Sequence, residues 1–456
     1  METGEKKVRC LFGTDGVRDV ANRGVMTPEM SLRLGRSYIL FLTERGIPRP
    51  RIVVGRDTRR SGHMLEAALS AGMASAGAEV FLLGVLPTPG VSFAVKKMSV
   101  HGGAVISASH NPAEYNGIKF LDSSGKKLSD DVEGAIEEYM GDNLTDDWRP
   151  TGASVGDIHR ATHLLDEYSE WIASLWGEET PFPSAGVIDC AHGAAVETAE
   201  KVFRRLGGEW RFVGNRPDGL NINEGVGVMH MAHIAEAVRT NALPIGIAYD
   251  GDADRALLTD CRGRVLNGDI ILWVLARWLA ERNMLGSGVV ATVMSNMALE
   301  DHLRKENIPV FRCPVGDRYV MERMSKEGSL LGGEQSGHII LSSFVNTGDG
   351  LCTGLFFLKA CLELGEDIST LADRFAPYPQ ILRNVEVSRD GKVSGDFLRD
   401  LSSEAETLLQ GAGRILIRPS GTEPLMRILV EARDEKLMEH VSEKLVNAIK
   451  EQCRYQ

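Results

Sequence analysis

No Cys-x-x-Cys pair occurs in this sequence. Its seven cysteines are scattered and odd in number. That suits reduced thiols in a cytosol better than a disulfide framework or a zinc site. No apolar stretch is long enough to span a bilayer. The most apolar run, residues 270–280, is short and is interrupted by Arg277. The N-terminus, Met-Glu-Thr-Gly-Glu-Lys-Lys, is charged and leads into no apolar segment, so no signal peptide is expected. Basic residues are in deficit: 51 Lys and Arg face 63 Asp and Glu, a formal charge of −12. A nucleic-acid surface is therefore not expected as the main business, local basic clefts aside. Also missing are a P-loop, Gly-x4-Gly-Lys-Ser/Thr, and a dinucleotide fingerprint, Gly-x-Gly-x-x-Gly after a strand. These absences leave a cytoplasmic protein with no membrane and no nucleic-acid partner.

What is present is ordinary globular composition, 43% hydrophobic and 25% charged over 456 residues, enough for about three domains on length alone. Strand and helix patterns alternate. Thr27-Pro28-Glu29 reads as a capped helix start. Arg51 to Val54, residues 79–83 and residues 104–106 read as strands, with helices between them, which points to a doubly wound parallel sheet. Residues 141–157 are rich in Gly, Asp, Thr and Pro and read as a linker near 155. A helix follows, with Leu164, Leu165, Tyr168, Trp171, Ile172, Leu175 and Trp176 on one stripe, which is core. Second and third α/β units follow. A break around 373–379 precedes a final segment of strands and two helices.

Four loops carry chemistry. The first is Val105-Ile-Ser-Ala-Ser-His-Asn-Pro112. A buried strand ends in small and polar residues, and Pro112 disfavours helix at Asn111. Ser109 is thus an exposed candidate nucleophile beside His110, at a strand's carboxyl end. The hairpin through Asn116-Gly-Ile-Lys-Phe120 can return Lys119 towards Ser109. The second is Asp250-Gly-Asp-Ala-Asp-Arg255, after the apolar strand 245–249. Bends at Gly251 and Ala253 would let the three carboxylates converge, and converging carboxylates repel unless a cation holds them. Oxygen-only ligands suit Mg²⁺ or Ca²⁺ rather than zinc. An EF-hand is excluded: counting from Asp250, position six is Arg255 and position twelve is Cys261. The third is Gly333-Glu-Gln-Ser-Gly-His338. Glu334 accepts from vicinal hydroxyls, Ser336 does either, and His338 donates or shuttles a proton, a set that suits a sugar. The fourth is Arg418-Pro-Ser-Gly-Thr-Glu-Pro424 with Arg427 behind it, a guanidinium and neutral donors suited to phosphate. Together the four loops describe phosphoryl transfer on a phosphosugar.

These motifs, in this order and across essentially the whole chain, resemble the α-D-phosphohexomutases. The opening Phe12-Gly-Thr-Asp-Gly-Val-Arg18 and the Gly-Glu-Gln-Ser-Gly-His form resemble the phosphoglucosamine mutase branch. The resemblance implies an α/β fold: three consecutive α/β domains with mixed or parallel sheets, plus a smaller C-terminal α+β domain, around a central cleft. The boundaries expected are 1–156, 157–258, 259–374 and 375–456. It implies that Ser109 carries the phosphoryl group and that Asp250, Asp252 and Asp254 hold Mg²⁺ together with that phosphate. Arg255 would lie beside the phosphate, and Glu334 and Ser336 would hold sugar hydroxyls. Arg418, Ser420, Gly421, Thr422 and Arg427 would bind the non-reacting phosphate. Arg18, His110, Lys119 and His338 match positions at the reacting end. Asp19 stands where the branch usually has Gly, and a carboxylate there bears on the pose of Arg18. The activity implied is isomerisation of glucosamine 6-phosphate to glucosamine 1-phosphate through a 1,6-bisphosphate, on the amino-sugar route to cell-wall precursors. A hexose (glucosamine or glucose) 1,6-bisphosphate would be activator and intermediate. The runner-up is a phosphomannomutase/phosphoglucomutase of the same mechanism. A sugar-phosphate-binding regulator and a plain metal-dependent phosphatase are the rivals from other classes. A homodimer is an open option.

Overall fold

The computed structural model describes residues 11–13, 15–141, 149–183, 185–387, 393–419 and 425–454. The chain divides into two compact units: residues 1–292 with 310–372, and residues 293–309 with 373–456.

The first unit begins with β1 (Val17–Val20), α1 (Pro28–Glu44), β2 (Arg51–Arg56), α2 (Arg60–Ser75), β3 (Glu79–Val85), α3 (Thr88–Lys97), β4 (Gly102–Ile106), β5 (Tyr115–Leu121), α4 (Asp130–Glu138) and β6 (Ile158–Arg160). The cap expected at Thr27 is there: its hydroxyl accepts from the Met30 N–H, and Pro28 opens the first turn. The strands lie in the order β1-β5-β4-β2-β3-β6. Strands β4, β2, β3 and β6 run parallel, β5 pairs antiparallel with β4, and β1 pairs antiparallel with β5. The sheet is therefore mixed, not wholly parallel. The connection from Ile106 to Tyr115 is too short for a crossover, which takes about a dozen residues or more, so β5 has to return as a hairpin. Strand β6 joins this sheet just past the boundary expected at 156.

Next come α5 (Leu164–Ser174), β7 (Ala185–Asp189), α6 (Ala195–Leu206), β8 (Glu209–Val213), α7 (Met231–Thr240), β9 (Ile245–Tyr249), β10 (Ala256–Asp260) and β11 (Val265–Leu266). They form a sheet in the order β11-β10-β9-β7-β8, with β8, β7 and β9 parallel, β10 antiparallel to β9, and β11 antiparallel to β10. The boundary expected at 258 falls inside β10. The third sheet, β13-β12-β14-β15, uses β12 (Val289–Thr292), β13 (Val310–Cys313), β14 (Leu331–Gly333) and β15 (Ile339–Leu341). Around it are α8 (Gly268–Glu281), α10 (Asp317–Glu327) and α11 (Gly350–Glu363). Between β12 and β13 lies α9 (Met297–Lys305), which belongs to the other unit. Helix α8 contains the apolar run noted above. It is buried on nearly every side, with Arg277 pairing Glu366 at 2.7 Å. No helix among the described residues is long and apolar enough to cross a membrane. The six described cysteines form no disulfide.

After α12 (Ile368–Arg374), the second unit has β16 (Gln380–Glu386), α13 (Gly395–Leu409), β17 (Gly413–Pro419), β18 (Leu425–Ala432) and α14 (Glu435–Arg454). Its antiparallel sheet runs β16-β18-β17, with its own core around Ile428, Val430, Val441 and Ile449. The buried Glu431 carboxylate accepts from Arg414 Nε at 2.7 Å and from the Met297 N–H. Arg414 also donates to the Val293 and Ser295 carbonyls at 2.9 and 2.5 Å. This network fixes the segment bearing α9 to the sheet.

Candidate active site

In the first unit, functional side chains sit where the strands end. Strands β4 and β2 are parallel neighbours, with Arg56 opposite Ile106, so the turns after them leave the same edge. Ser109 lies in the turn after β4, 2% exposed, with φ +50°. A non-glycine residue in the left-handed region costs about 1–2 kcal/mol, so the surroundings must hold it there. The Ser109 N–H donates to Ser107 Oγ at 2.9 Å, and Ser107 Oγ–H donates to Asp57 Oδ2 at 2.7 Å. The result aims Ser109 Oγ at Asp250, to which it donates at 2.5 Å.

The three aspartates do converge. Ala253 adopts φ +56° and its N–H donates to the Asp250 carbonyl at 3.0 Å, closing a tight turn after β9. Oxygens of Asp250, Asp252 and Asp254 lie within 4.8 Å of one another, and all three residues are buried. Gly251 allows the turn to touch the serine loop: a Cβ there would lie 2.5 Å from the Ser109 carbonyl oxygen. Burial, with Asp254 and Asp252 adding repulsion, holds Asp250 well above the usual carboxylate range. For Asp252, burial acts upward, but Lys119, the Thr88 hydroxyl and Arg18 outweigh it and hold the carboxyl low. Asp254 is likewise held low, against burial and Asp252, by His338. Asp252 Oδ1 is buried with no hydrogen-bond partner. A buried carboxylate oxygen without a donor, in a trio of converging carboxylates beside a serine hydroxyl, fits a hard divalent cation.

The other candidates gather around this cluster. Lys119 lies opposite Val105 in the β4–β5 pairing. It is 1% exposed, and its Nζ is 3.2 Å from both Asp252 and Asp15. Burial pulls its pKa down, with Asp252 opposing. Arg18 on β1 pairs with Asp15 and reaches the Ala108 carbonyl at 3.5 Å. Asp19 turns the other way, accepting from the Val20 and Val25 N–H groups at 2.7 and 3.1 Å. Its carboxylate serves its own loop and does not bond Arg18. His110 Nδ1 is 3.4 Å from Ser109 Oγ, and burial beside Arg255 and Arg18 lowers its pKa to about 4. The Arg255 N–H donates to Asp250 Oδ1 at 3.1 Å, and its Nε is 3.8 Å from Asp254. His338, at the start of the return strand β15, is 3.5 Å from Asp254 Oδ1 and 3.9 Å from Asp317. Burial acts against its charge, but those carboxylates raise its pKa.

Glu334 and Ser336 occupy the turn between β14 and β15. Glu334 Oε1 accepts from the Gly316 N–H at 3.1 Å, and Ser336 Oγ is 3.4 Å from Oε2. In the second unit, Arg418 and Arg427 stand directly opposite each other on β17 and β18. Like charges placed so repel, and an anion between them would relieve the repulsion. Ser420, Gly421 and Thr422 lie outside the described residues.

Several site residues escaped the sequence reading. Thr88 donates to Asp252 Oδ2 at 2.7 Å. Lys127 bridges Asp15 and Asp317, the latter at 2.5 Å. Its charge, followed by that of His338, overcomes burial and lowers the Asp317 carboxyl to about 2. Asp57, Arg59 and Asn223 hold the serine loop from below. Only Asp57 and Arg59 had a signal, a polar turn directly after a buried strand.

Known proteins resemble this chain over nearly its whole length. The description "Phosphoglucomutase/phosphomannomutase, alpha/beta/alpha domain I" matches residues 9–146, domain III of the same family matches 267–378, and its C-terminal domain matches 380–448. The chain belongs to the phosphoglucomutase/phosphomannomutase family, the α-D-phosphohexomutases. Within it, the chain is 44% identical over 443 residues to a phosphoglucosamine mutase of Pelotomaculum thermopropionicum, covering 97% of this chain and 99% of that one. It is 45% identical over 455 residues to a phosphoglucosamine mutase of Cereibacter sphaeroides, with the same coverage. A phosphoglucomutase/phosphomannomutase family protein from Burkholderia thailandensis shares the fold, with TM-score 0.81 over 97% of each chain at 23% identity.

Proposed function

We propose that this phosphohexomutase interconverts glucosamine 6-phosphate and glucosamine 1-phosphate. The observation that carries the reading is Ser109, held in a left-handed turn with its Oγ 2.5 Å from one of three converging buried aspartates. The near-full-length likeness to phosphoglucosamine mutases supports the choice of sugar. In the proposed cycle Ser109 carries a phosphoryl group. The O1 hydroxyl of glucosamine 6-phosphate attacks the phosphorus, the O1–P bond forms as the Ser109 Oγ–P bond breaks, and the O1 proton passes to the Ser109 oxygen that leaves. The 1,6-bisphosphate turns end over end, Ser109 Oγ attacks the 6-phosphoryl group, the O6–P bond breaks, and the serine proton passes to O6, releasing glucosamine 1-phosphate. A hexose 1,6-bisphosphate would prime an unphosphorylated enzyme by the same transfer.

Asp250, Asp252 and Asp254 would hold Mg²⁺ with a serine phosphate oxygen, and the bound cation would supply charge stabilisation to the transferring group. Arg18, Arg255 and Lys119 would surround that phosphoryl group with donors and positive charge. Such positioning and electrostatics are what a loose phosphoryl transition state needs. His338, whose protonated form Asp254 and Asp317 favour against burial, would stabilise negative charge on the transferring group. His110, neutral at pH 7, is available as an acceptor beside Oγ. Glu334 and Ser336 would hold sugar hydroxyls. Arg418, Arg427 and the 420–422 loop would hold the non-reacting phosphate. We also read the four sheets as four domains, the second ending after β11.

The test is a side-by-side measurement of mutase rates on glucosamine, glucose and mannose phosphates, with Mg²⁺ and a trace of hexose 1,6-bisphosphate. A strong preference for glucosamine phosphate is expected. A preference for glucose or mannose phosphate would overturn the sugar assignment. Ser109→Ala should abolish turnover while sparing sugar-phosphate binding; a near-normal rate would overturn the phosphoserine.

A further inference from the structure

Two side chains converge on the backbone of the serine loop from different sheets. Arg59, in the turn after β2, is fully buried. Its guanidinium donates to the carbonyls of Ser109 at 2.9 Å, Asn111 at 2.8 Å and Tyr115 at 3.0 Å, and to that of Pro112. Its Nε donates to Asp57 at 2.8 Å, so the guanidinium plane is fixed from behind. Asn223 comes from the loop after β8. Its Nδ2 donates to the same Ser109 and Asn111 carbonyls, at 2.9 and 3.0 Å.

Neither arm is itself loose. Asn223 is almost buried and adopts φ +61°, and its own N–H donates to the Ala191 carbonyl at 2.9 Å. Its loop is tied again at Gly227, whose N–H donates to Asp189 Oδ2 at 2.9 Å. On the other side, Thr58 Oγ1 donates to the His192 carbonyl at 2.6 Å, and the Arg60 N–H donates to the Gly219 carbonyl at 2.9 Å. The turn bearing Arg59 and the loop bearing Asn223 are thus stitched together around the serine carbonyl.

We propose that Arg59 and Asn223 are positioning residues that act as a two-sided clamp. Together they impose the left-handed backbone at Ser109 and so aim its Oγ at the aspartate cluster. The argument rests on the reading of Ser109 as the phosphoryl carrier. The Ser109 and Asn111 carbonyls, two residues apart, face the same donors and would otherwise repel each other; donors bridging both remove that repulsion. Without the donors, a serine returns to negative φ, which swings the Cα–Cβ bond and takes Oγ away from Asp250. Asn223 adds what Arg59 alone does not. It ties the serine loop to the sheet that carries Asp250, Asp252 and Asp254, so nucleophile and carboxylates keep one spacing. Neither residue touches the reacting atoms, so their loss should act on the chemical step and leave ground-state sugar binding alone.

The experiment compares Asn223→Ala, Asn223→Asp and Arg59→Lys with the parent enzyme. It reads kcat and KM on whichever hexose phosphate the parent turns over, thermal melting, and a crystal structure of Asn223→Ala. For Asn223→Ala, kcat is expected to fall about 10- to 100-fold, as for a displacement of roughly 1 Å at a reacting centre. KM should stay within about twofold of the parent and the fold should be intact. Asn223→Asp should be slower still, because it sets a carboxylate against two carbonyls. Arg59→Lys keeps the charge but offers one nitrogen to four carbonyls, and should retain only part of the parent's kcat. In the Asn223→Ala crystal structure, Ser109 should leave φ +50°. Parent-like kcat in Asn223→Ala, or Ser109 still left-handed with Oγ on Asp250, would overturn the clamp. A parent enzyme with no mutase activity on any hexose phosphate would overturn the reaction instead, and the crystal structure would still decide the clamp.

Discussion

Replacing Gly251 with alanine tests how closely the metal loop and the serine loop must approach. The added Cβ would sit 2.5 Å from the Ser109 carbonyl oxygen, 2.9 Å from Asn223 Nδ2 and 2.9 Å from Ile222 Cδ1. An ordinary carbon–oxygen contact needs about 3.4 Å or more, so something must shift by roughly 0.9 Å. The first contact is backbone, already held by Arg59 and Asn223, so the two loops must separate. Overpacking of this kind costs about 1–3 kcal/mol of stability. The kinetic effect should be larger, because a displacement near 1 Å between nucleophile and charge-stabilising groups costs about 100-fold in rate. The assay is steady-state mutase kinetics with thermal melting, and Gly141→Ala serves as the control, since a Cβ at Gly141 meets nothing within 4 Å. Gly251→Ala should lose activity well beyond its loss of stability, and Gly141→Ala should match the parent. Parent-like kcat in Gly251→Ala would refute the idea that the spacing of these loops limits the reaction.

Chelation with EDTA should stop turnover and added Mg²⁺ should restore it; full activity in EDTA would remove the metal from the site. Arg427→Ala should raise KM for the sugar phosphate by about 10- to 100-fold, the value of one or two charge-assisted hydrogen bonds, and an unchanged KM would take Arg427 out of the phosphate clamp. Asp349 supplies a pH test read on stability. It caps α11 through the Cys352 N–H at 2.9 Å, accepts from the Tyr168 hydroxyl at 2.8 Å, and is raised by burial to about 6. A folded pKa above the unfolded one means the folded state holds the proton more tightly. That stability is present below about pH 4 and is lost as pH rises through about 6. Between pH 5 and pH 8 the loss is about 1.4 kcal/mol. Asp349→Asn cannot ionise, so its melting curve should fall less than the parent's over that interval; parallel pH profiles would show that Asp349 is already ionised at pH 5.

The sequence made the strand ends legible because each was marked twice, by an apolar run and by the polar residues that stop it. Residues 104–112 and 245–255 are of this kind, and both expectations met the structure: a tight turn after β4, and a bend at Ala253 that gathers three carboxylates. The return of Lys119 was legible too, because a short polar turn after a buried strand leaves little choice but a hairpin. Where a single mark stood alone, the reading fell short. The boundary expected at 258 cut β10, because the antiparallel β10 and β11 extend the second sheet after the metal loop and no break in composition separates them.

What could not be read were the residues whose work is defined by distance across the fold. Asn223 lies 114 positions from the carbonyl it holds, and Thr88 lies 164 positions from its aspartate. Periodicity carries no information about such pairs, because an asparagine in a glycine-rich loop is already explained as a turn former. Arg59 was visible only as one of several arginines after β2, and burial alone separates it from its neighbours. Of Arg56, Thr58, Arg59 and Arg60, only Arg59 has no exposed surface at all. A guanidinium that far from water must spend its donors on the protein, and the acceptors within reach are the carbonyls of the turn that presents the serine. The residues to which we assign phosphoryl transfer advertise themselves by type, as serine, aspartate, lysine and histidine. The residues that hold them in place are chosen by reach, and reach appears only once the chain is folded.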